Sequence, residues 1–300
     1  MSKSQPILIS NVMVLDSTGS EPFPGEVLVA DERIVDVRRV PTGEAPEGAE
    51  RVNGRGHTLM SGLCDAHTHF TWNEGDLDAL ATLPVEEHVL HSMRSARIYI
   101  DHGYTMCVGA ASAKSRLDVV MRDAINRREI QGPRYLANGM EIAVTGGQLV
   151  SGITQFADGP EEMRKVVRET ISLGVDTIKL SMSGEEITGR NRAADNYFSD
   201  EEVEAAVREA HRRGVRVAVH ARAAESVRLA LRHGADIIYH ASFIDDEGMD
   251  MLEERKDSVF VAPGLNWLIA TLNEAGDFGY PRPQLRQPAT SMSWSARSRG

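Results

Sequence analysis

Between Pro160 and Ser242 the chain repeats one unit three times: a helical stretch closing on glycine, then a short apolar run. The helical stretches are "PEEMRKVVRETISLG", "SDEEVEAAVREAHRRG" and "AAESVRLALRHG", ending at Gly174, Gly214 and Gly234, where a left-handed residue stops a helix at no steric cost. The runs that follow are "DTIKLSMS", "VRVAVHA" and "DIIYHAS". Strands joined by helices of this length pair in parallel, because the crossover is too long for a hairpin and must cover a sheet face. The middle helix shows how the pattern works. Ser199 caps it, Glu202 completes a capping box, and Val203, Ala206, Val207 and Ala210 recur at offsets of three and four, giving one apolar face for the sheet.

Extending the rhythm gives seven strand candidates after Gly56: "TLMSGLCDAHTHF", "YTMCVGA", "RYLANGM", "DTIKLSMS", "VRVAVHA", "DIIYHAS" and "SVFVAPG". This α/β repetition predicts a TIM-like (β/α)8 barrel, with an open parallel sheet as the alternative. No convincing eighth strand follows strand seven, where "NWLIATLNEAGDFGY" leads into the Pro-, Arg- and Ser-rich "PRPQLRQPATSMSWSARSRG", so the expectation is a barrel completed by a partner, one filled by an irregular tail segment, or a truncated or altered form of something longer. Before Gly56, "ILISNVMVLD" and "GEVLVADERIVDVRRV" read as short strands of a small β-domain over about Ser2 to Arg55, with "PTGEAPEGAE" as an exposed connection.

The 300 residues carry 33 Lys and Arg against 44 Asp and Glu, a formal charge of -11, which argues against a nucleic-acid backbone or an anionic membrane as partner. No apolar run approaches the roughly 18 residues of a membrane span, and "MSKSQPILIS" lacks a secretory apolar segment, so a cytoplasmic location is expected. Cys64 and Cys107 are too few for a disulfide framework or a thiolate zinc cluster, and Cys64 is expected to be an apolar neighbour of the nearby histidines. A homo-oligomer, most simply a dimer, is expected only from the frequency of symmetric pairs.

In "GLCDAHTHF", His67 and His69 are two residues apart, so on a strand both side chains share a face. Alone, the pair is equally consistent with the start of a loop. His220 ends "VRVAVHA" and His240 lies in "DIIYHAS", so in a barrel four imidazoles from three strands meet at the C-terminal mouth, and jointly they point to metal. Lys179 takes the matching place in "DTIKLSMS". A buried ammonium there is penalised by desolvation and by any neighbouring cation, so it either meets an acidic partner or is converted to a carbamate by carbon dioxide.

These residues together resemble the amidohydrolase superfamily of metal-dependent hydrolases, within it the imidazolonepropionase and Xaa-Pro dipeptidase-like branch. "GLCDAHTHF" resembles its strand-one His-x-His motif. "INRREIQGPRYLANGMEIAVTGGQ", "DTIKLSMSG" and the stretch from "FSDEEVEAAVREAHRRG" to "HASFIDDE" resemble the branch in order and spacing, over about residues 6 to 265. The resemblance implies two divalent metal ions, most simply zinc, with His67 and His69 holding the more buried one. It makes Lys179 a bridging carbamate and His220 and His240 ligands of the second ion, with Lys179, His220 and His240 as the catalytic set. It further implies that residues 1–55 are the N-terminal part of a composite β-sandwich, 56–270 the hydrolase barrel, and 271–300 an irregular tail. Metal-activated water would cleave a C–N bond in a small amide, dipeptide or cyclic amide. A deaminase, or a metal-binding inactive truncated form, is the alternative.

The family's strand-eight aspartate, which binds metal and carries a proton, has no clear counterpart: only Glu274 and Asp277 are acidic after "VAPG", and the setting of Asp277 in "EAGDFGY" does not resemble that motif. Gly146 and Gly147 either admit a substrate to the backbone or make a plain turn, and Gln148 stands where relatives often have histidine. Arg222 is expected in a local salt bridge rather than on a substrate carboxylate, Tyr104 and Tyr239 in packing, and His88, His91, His102, His211 and His233 at the surface or at helix caps.

Overall fold

Valine and isoleucine at alternating positions build the N-terminal strands, as expected of a half-buried sheet. In the computed structural model, which describes residues 4–72, 79–150, 152–185 and 191–274, these strands form a five-stranded sheet. β1 (Ile7–Leu15) pairs antiparallel with β2 (Phe23–Ala30), and β2 with β3 (Arg33–Arg38). β4 (Glu50–Asn53) and β5 (Thr58–Met60) lie parallel to successive parts of β1. The register of β1 shifts between Ile9 and Val12, where Asn11 takes a left-handed φ of 54°, and Val12, Val14, Phe23 and Val27 form the core of this unit. The chain divides into residues 1–63 and 64–300. "TLMSGLCDAHTHF", expected as one strand, is therefore two: β5 serves the first sheet and β6 (Leu63–Thr68) begins the next, with Ser61 and Gly62 between them.

The second unit alternates strands with helices as the repeat requires. Its strands are β6, β7 (Tyr104–Gly109), β8 (Arg134–Leu136), β9 (Glu141–Ala143), β10 (Thr154–Phe156), β11 (Thr177–Ser181), β12 (Arg216–Ala221), β13 (Ile237–His240) and β14 (Phe260–Ala262). Its helices are α1 (Val85–Asp101), α2 (Leu117–Asn126), α3 (Gly159–Ser172), α4 (Asp200–His211), α5 (Ala224–His233), α6 (Asp246–Glu254) and α7 (Leu265–Glu274). Both halves of the expected α4 capping box form, and Gly174, Gly214 and Gly234 have φ of 91°, 70° and 93°. Val203, Ala206, Val207 and Ala210 are buried in one core with Ile178, Leu180, Val217 and Val219 from the strands beneath. Each large aliphatic side chain so buried contributes about 1.5–3 kcal/mol, so the apolar face of α4 alone ties that helix firmly to the sheet.

The strands form two sheets, ordered β6-β7-β8 and β10-β9-β11-β12-β13-β14. The expected third strand, "RYLANGM", is split. Its first half, β8, pairs with β7, and the chain then breaks at Gly139, φ 70°, before β9 starts afresh beside β10 and β11. The break is bridged by the Ala137 carbonyl, which accepts from the amides of Asp176 and Thr177 at 2.7 and 3.1 Å, so the wall runs on from one sheet to the other. Among the described residues no strand pairs β14 with β6, so the fold is an α/β parallel wall resembling a barrel core, whose closure these pairings do not establish.

Carboxylates fasten this wall at its strand starts. Asp176, just before β11, accepts the Ala137 amide of the preceding unit at 2.7 Å, and Asp236, just before β13, accepts the Val217 amide of β12 at 2.7 Å. Asp118 in the first turn of α2 is fully buried and accepts from Val119, Asn138 and Gly139 at 2.8–2.9 Å, holding the break after β8. Replacing it strands two distant buried amides, each costing about 1–3 kcal/mol. We expect Asp118→Ala to lower the unfolding free energy by about 3 kcal/mol in urea denaturation, with Asp118→Asn recovering part of the loss.

Candidate functional site

A cavity of about 510 Å³ in the second unit is lined by His67, His69, Lys179, His220 and His240, together with Cys64, Asp65, Trp72, Tyr104, Glu141, Leu149, Val150, Glu185, Gly264 and Asn266. All five residues singled out for metal chemistry thus share one cavity. The expected strand positions explain the gathering. His67 lies on β6 and His69 just beyond it, Lys179 on β11, and His220 and His240 at the C-terminal ends of β12 and β13. Asp277 lies outside the described residues.

His67 and His69 turn their Nε2 atoms toward each other at 3.0 Å. His69 Nδ1 donates to the Ala111 carbonyl at 3.3 Å, which fixes the tautomer that leaves Nε2 with a lone pair. His220 has the opposite arrangement: Nε2 donates to the Gly184 carbonyl at 3.0 Å, leaving Nδ1 as the free acceptor. His240 departs from strand parity. Its chain neighbour Tyr239, paired in register with His220, points inward against Ala110 and Ala218, so an ordinary strand would turn His240 away. Instead His240 and Ala241 take left-handed φ values of 78° and 49°, and the imidazole comes within 4.7 Å of the His220 ring and 4.9 Å of the His67 ring, centroid to centroid. A non-glycine pair in that region costs about 1–3 kcal/mol per residue, and such strain collects at functional sites. His240 Nδ1 is buried and has no hydrogen-bond partner.

Burial, above all, depresses all four imidazoles. It holds His67, His220 and His240 well below the ordinary histidine value and His69 down to about 3, with the Lys179 cation adding repulsion for all four and Arg222 for the first three. The four rings are therefore neutral at pH 7, the state in which imidazole ligates metal. Burial likewise lowers Lys179 to about 8, opposed by the Glu141 carboxylate, whose Oε2 lies 3.9 Å from Nζ. Glu141 is itself buried and accepts from Thr154 and Ser181 hydroxyls at 3.0 and 2.8 Å.

One group among the described residues has the geometry to hold a metal ion as it stands: Glu185, His220 and His240, with ligand atoms within 4.8 Å of one another. Glu185 was not singled out from the sequence, and neither was Glu141, although a lone glutamate inside the apolar "NGMEIAV" is a signal of a buried partner. Two expectations need correction, those for Cys64 and His88. Cys64 is exposed at the cavity rather than a buried apolar neighbour, because β6 is an edge strand there. Tyr239 is buried as expected of packing but also stacks on His67 at 4.1 Å. His88 is fully buried within α1, its Nε2 bonded to the Thr71 carbonyl, and not on the surface. Trp72 stacks on His69 at 3.8 Å and, with Leu149 and Val150, makes the apolar side of the cavity. Gln148 is not among the lining residues, and its Oε1 is buried without a partner.

Parallel strands here deliver imidazoles from their C-terminal ends into one cavity, the place where βα walls of this kind carry their sites. Residues 58–292 match the amidohydrolase family, and the chain belongs to it. It is similar to ochratoxinase from Aspergillus niger, at 26% identity over 225 residues, 66% of this chain and 46% of that protein, so it spans about half the length of this curated relative. Among solved structures it is similar to a prolidase complexed with N-methylphosphonate-L-proline, at 25% identity and TM-score 0.85, covering 98% of this chain and 74% of that one. It is also similar to a Xaa-Pro dipeptidase with methionine bound in its active site, at 25% identity and TM-score 0.82, covering 98% and 76%. No helix among the described residues is long and apolar enough to cross a membrane.

The depressed imidazoles make the metal-free protein sensitive to acid. A histidine whose folded pKa lies below its unfolded value contributes stability above the unfolded value, near 6.5, and loses it as pH falls toward the folded one, about 3 for His69. The urea midpoint of metal-free protein should therefore drop steadily from pH 7 to pH 5. His69→Gln should flatten that slope; an unchanged slope would show that His69 is protonated as readily folded as unfolded.

Proposed function

We propose that this chain is a metal-dependent hydrolase that cleaves a C–N bond, amide or peptide-like, in a small substrate such as an amide, a dipeptide or a cyclic amide. The observation that carries the reading is the meeting of His67, His69, Lys179, His220 and His240 in one cavity. Membership of the amidohydrolase family and the likeness to a prolidase and a Xaa-Pro dipeptidase support it. The reading assigns the chemistry to residues 56–270, with 1–55 as part of a β-sandwich and 271–300 as a tail.

The residues suit divalent metal. Four imidazoles kept neutral, a buried and unpartnered His240 Nδ1, and a carboxylate beside His220 and His240 are a donor set for zinc or a similar ion. In this reading His67 and His69 would hold one ion, His220 and His240 a second, and Lys179, as a carbamate, would be a further ligand. Bound there, such ions supply a lowered water pKa, polarisation of the substrate carbonyl and compensation of the negative charge that develops on its oxygen.

The chain's own groups do the rest. Carbamate formation joins the neutral Lys179 Nζ to the carbon of carbon dioxide and releases one proton, and a pKa near 8 keeps a fraction of that amine neutral at physiological pH. Glu141, 3.9 Å from Nζ, is its nearby proton acceptor. The Ala111 carbonyl orients His69, the Gly184 carbonyl orients His220, and the apolar side made by Trp72, Leu149 and Val150 limits water beside the reacting bond.

The double replacement of His67 and His69 by alanine should remove the greater part of bound metal while leaving the helical circular-dichroism signal, and lower turnover by at least about 100-fold. Unchanged metal stoichiometry would overturn the assignment. Product analysis on a panel of dipeptides and cyclic amides with zinc-loaded protein decides the reaction class: a new carboxylate with a free amine is expected, and ammonia released from a C=N carbon would make the chain a deaminase.

A further inference from the structure

Arg222 follows His220 by two residues, and its side chain is only 3% exposed. Burying a guanidinium demands a compensating anion, and Glu185 supplies it. The pairing is unusual in form. Arginine offers Nε and Nη2 as a fork that fits the two oxygens of a carboxylate, yet here both address the same oxygen: Nε donates to Glu185 Oε2 at 2.7 Å, and Nη2 lies 2.6 Å from that same atom. Nη2 is left buried without a hydrogen bond of its own. The rest of the arginine is fixed. Its Nη1 donates to the Ser242 hydroxyl at 2.8 Å and its backbone amide to the Ser183 hydroxyl at 2.7 Å. Glu185, more exposed at 14%, lines the cavity, whereas Arg222 stands behind it. A rigid, half-satisfied guanidinium thus sits beside the histidines, covered by a carboxylate that faces the cavity.

We infer that Arg222 is the anchor for a carboxylate on the substrate, and that Glu185 is an internal carboxylate that occupies this anchor until substrate displaces it. The exchange swaps one anion for another, so it leaves no buried charge unpaired, and a carboxylate engaging both Nε and Nη2 satisfies the nitrogen that Glu185 leaves without a bond. In its present position the Glu185 carboxylate also lies beside His220 and His240, the ligand atoms of the three residues falling within 4.8 Å of one another. On the side of His69 the apolar residues Trp72, Leu149 and Val150 suit an apolar group on the same substrate. The substrate class is therefore an amide that carries an apolar side chain and a free carboxylate. This rests on the hydrolase reading only in taking the cavity as the substrate site.

The test is equilibrium binding, by calorimetry, of N-acetyl-L-leucine and of N-acetyl-L-leucinamide, which lacks the carboxylate. Wild type, Glu185→Gln and Arg222→Met are compared, each free of metal and then zinc-loaded. Wild type should prefer the acid by about 10-fold, the scale of one charge-assisted hydrogen bond. Glu185→Gln, which weakens the internal occupant, should bind the acid about 10-fold more tightly than wild type even without metal, with the amide unchanged. Arg222→Met should bind acid and amide alike. Equal binding of both probes by wild type, or no gain for the acid in Glu185→Gln, overturns the inference. If Arg222→Met does not fold, the gain in Glu185→Gln decides alone. Preference for the acid without any zinc-dependent hydrolysis would sink the hydrolase reading and leave this anchor standing, and hydrolysis without that preference would do the reverse.

Discussion

A charged side chain taken out of water must find an opposite charge or give up its own, and the interior of this parallel wall is organised by that demand. Two cations, Lys179 and Arg222, are buried there, and two glutamates, Glu141 and Glu185, stand against them. The four imidazoles between them stay neutral because burial and the neighbouring cations forbid protonation. The result is a cavity rich in lone pairs, with its positive charge held at fixed points. Such an arrangement is costly for stability, and perturbed groups of this kind collect at functional sites.

Much of this was legible in the sequence, because the signals were local. The α4 capping box, the glycines that end the helices and the apolar faces of the repeats each follow from residues within a few positions of one another, and each appears where expected. The histidines and Lys179 could be placed in one cavity for the same reason: each sits at a strand, and strands in a parallel wall point their C-terminal ends the same way. What could not be read depended on pairing between distant segments. The division of "TLMSGLCDAHTHF" between two sheets is decided by β1, some fifty residues earlier, and the split of the third strand by a carboxylate on α2. Glu141 and Glu185 are ordinary glutamates until Lys179 and Arg222 come up beside them. The inward turn of His240 rests on a left-handed backbone that its residue type does not announce.

The family relation and the geometry bear on different questions. Membership rests on the match over residues 58–292 and bears on the family as a whole. The single-oxygen pairing of Arg222 with Glu185 and the tryptophan laid on His69 are read from this chain's own side chains. Fold alone does not carry such detail, since sites are grafted onto a shared scaffold.

The aspartates at the strand starts have a consequence for how the wall is assembled. Asp176 and Asp236 each reach back to an amide of the unit before their own. At these two joints the chain is fastened by a carboxylate that stands just before the strand of a later unit. During synthesis from the N-terminus the Ala137 and Val217 amides stay unsatisfied until Asp176 and Asp236 emerge and lock them. The wall advances there like a ratchet, and a nascent chain paused just before either aspartate carries its weakest joint at the growing end.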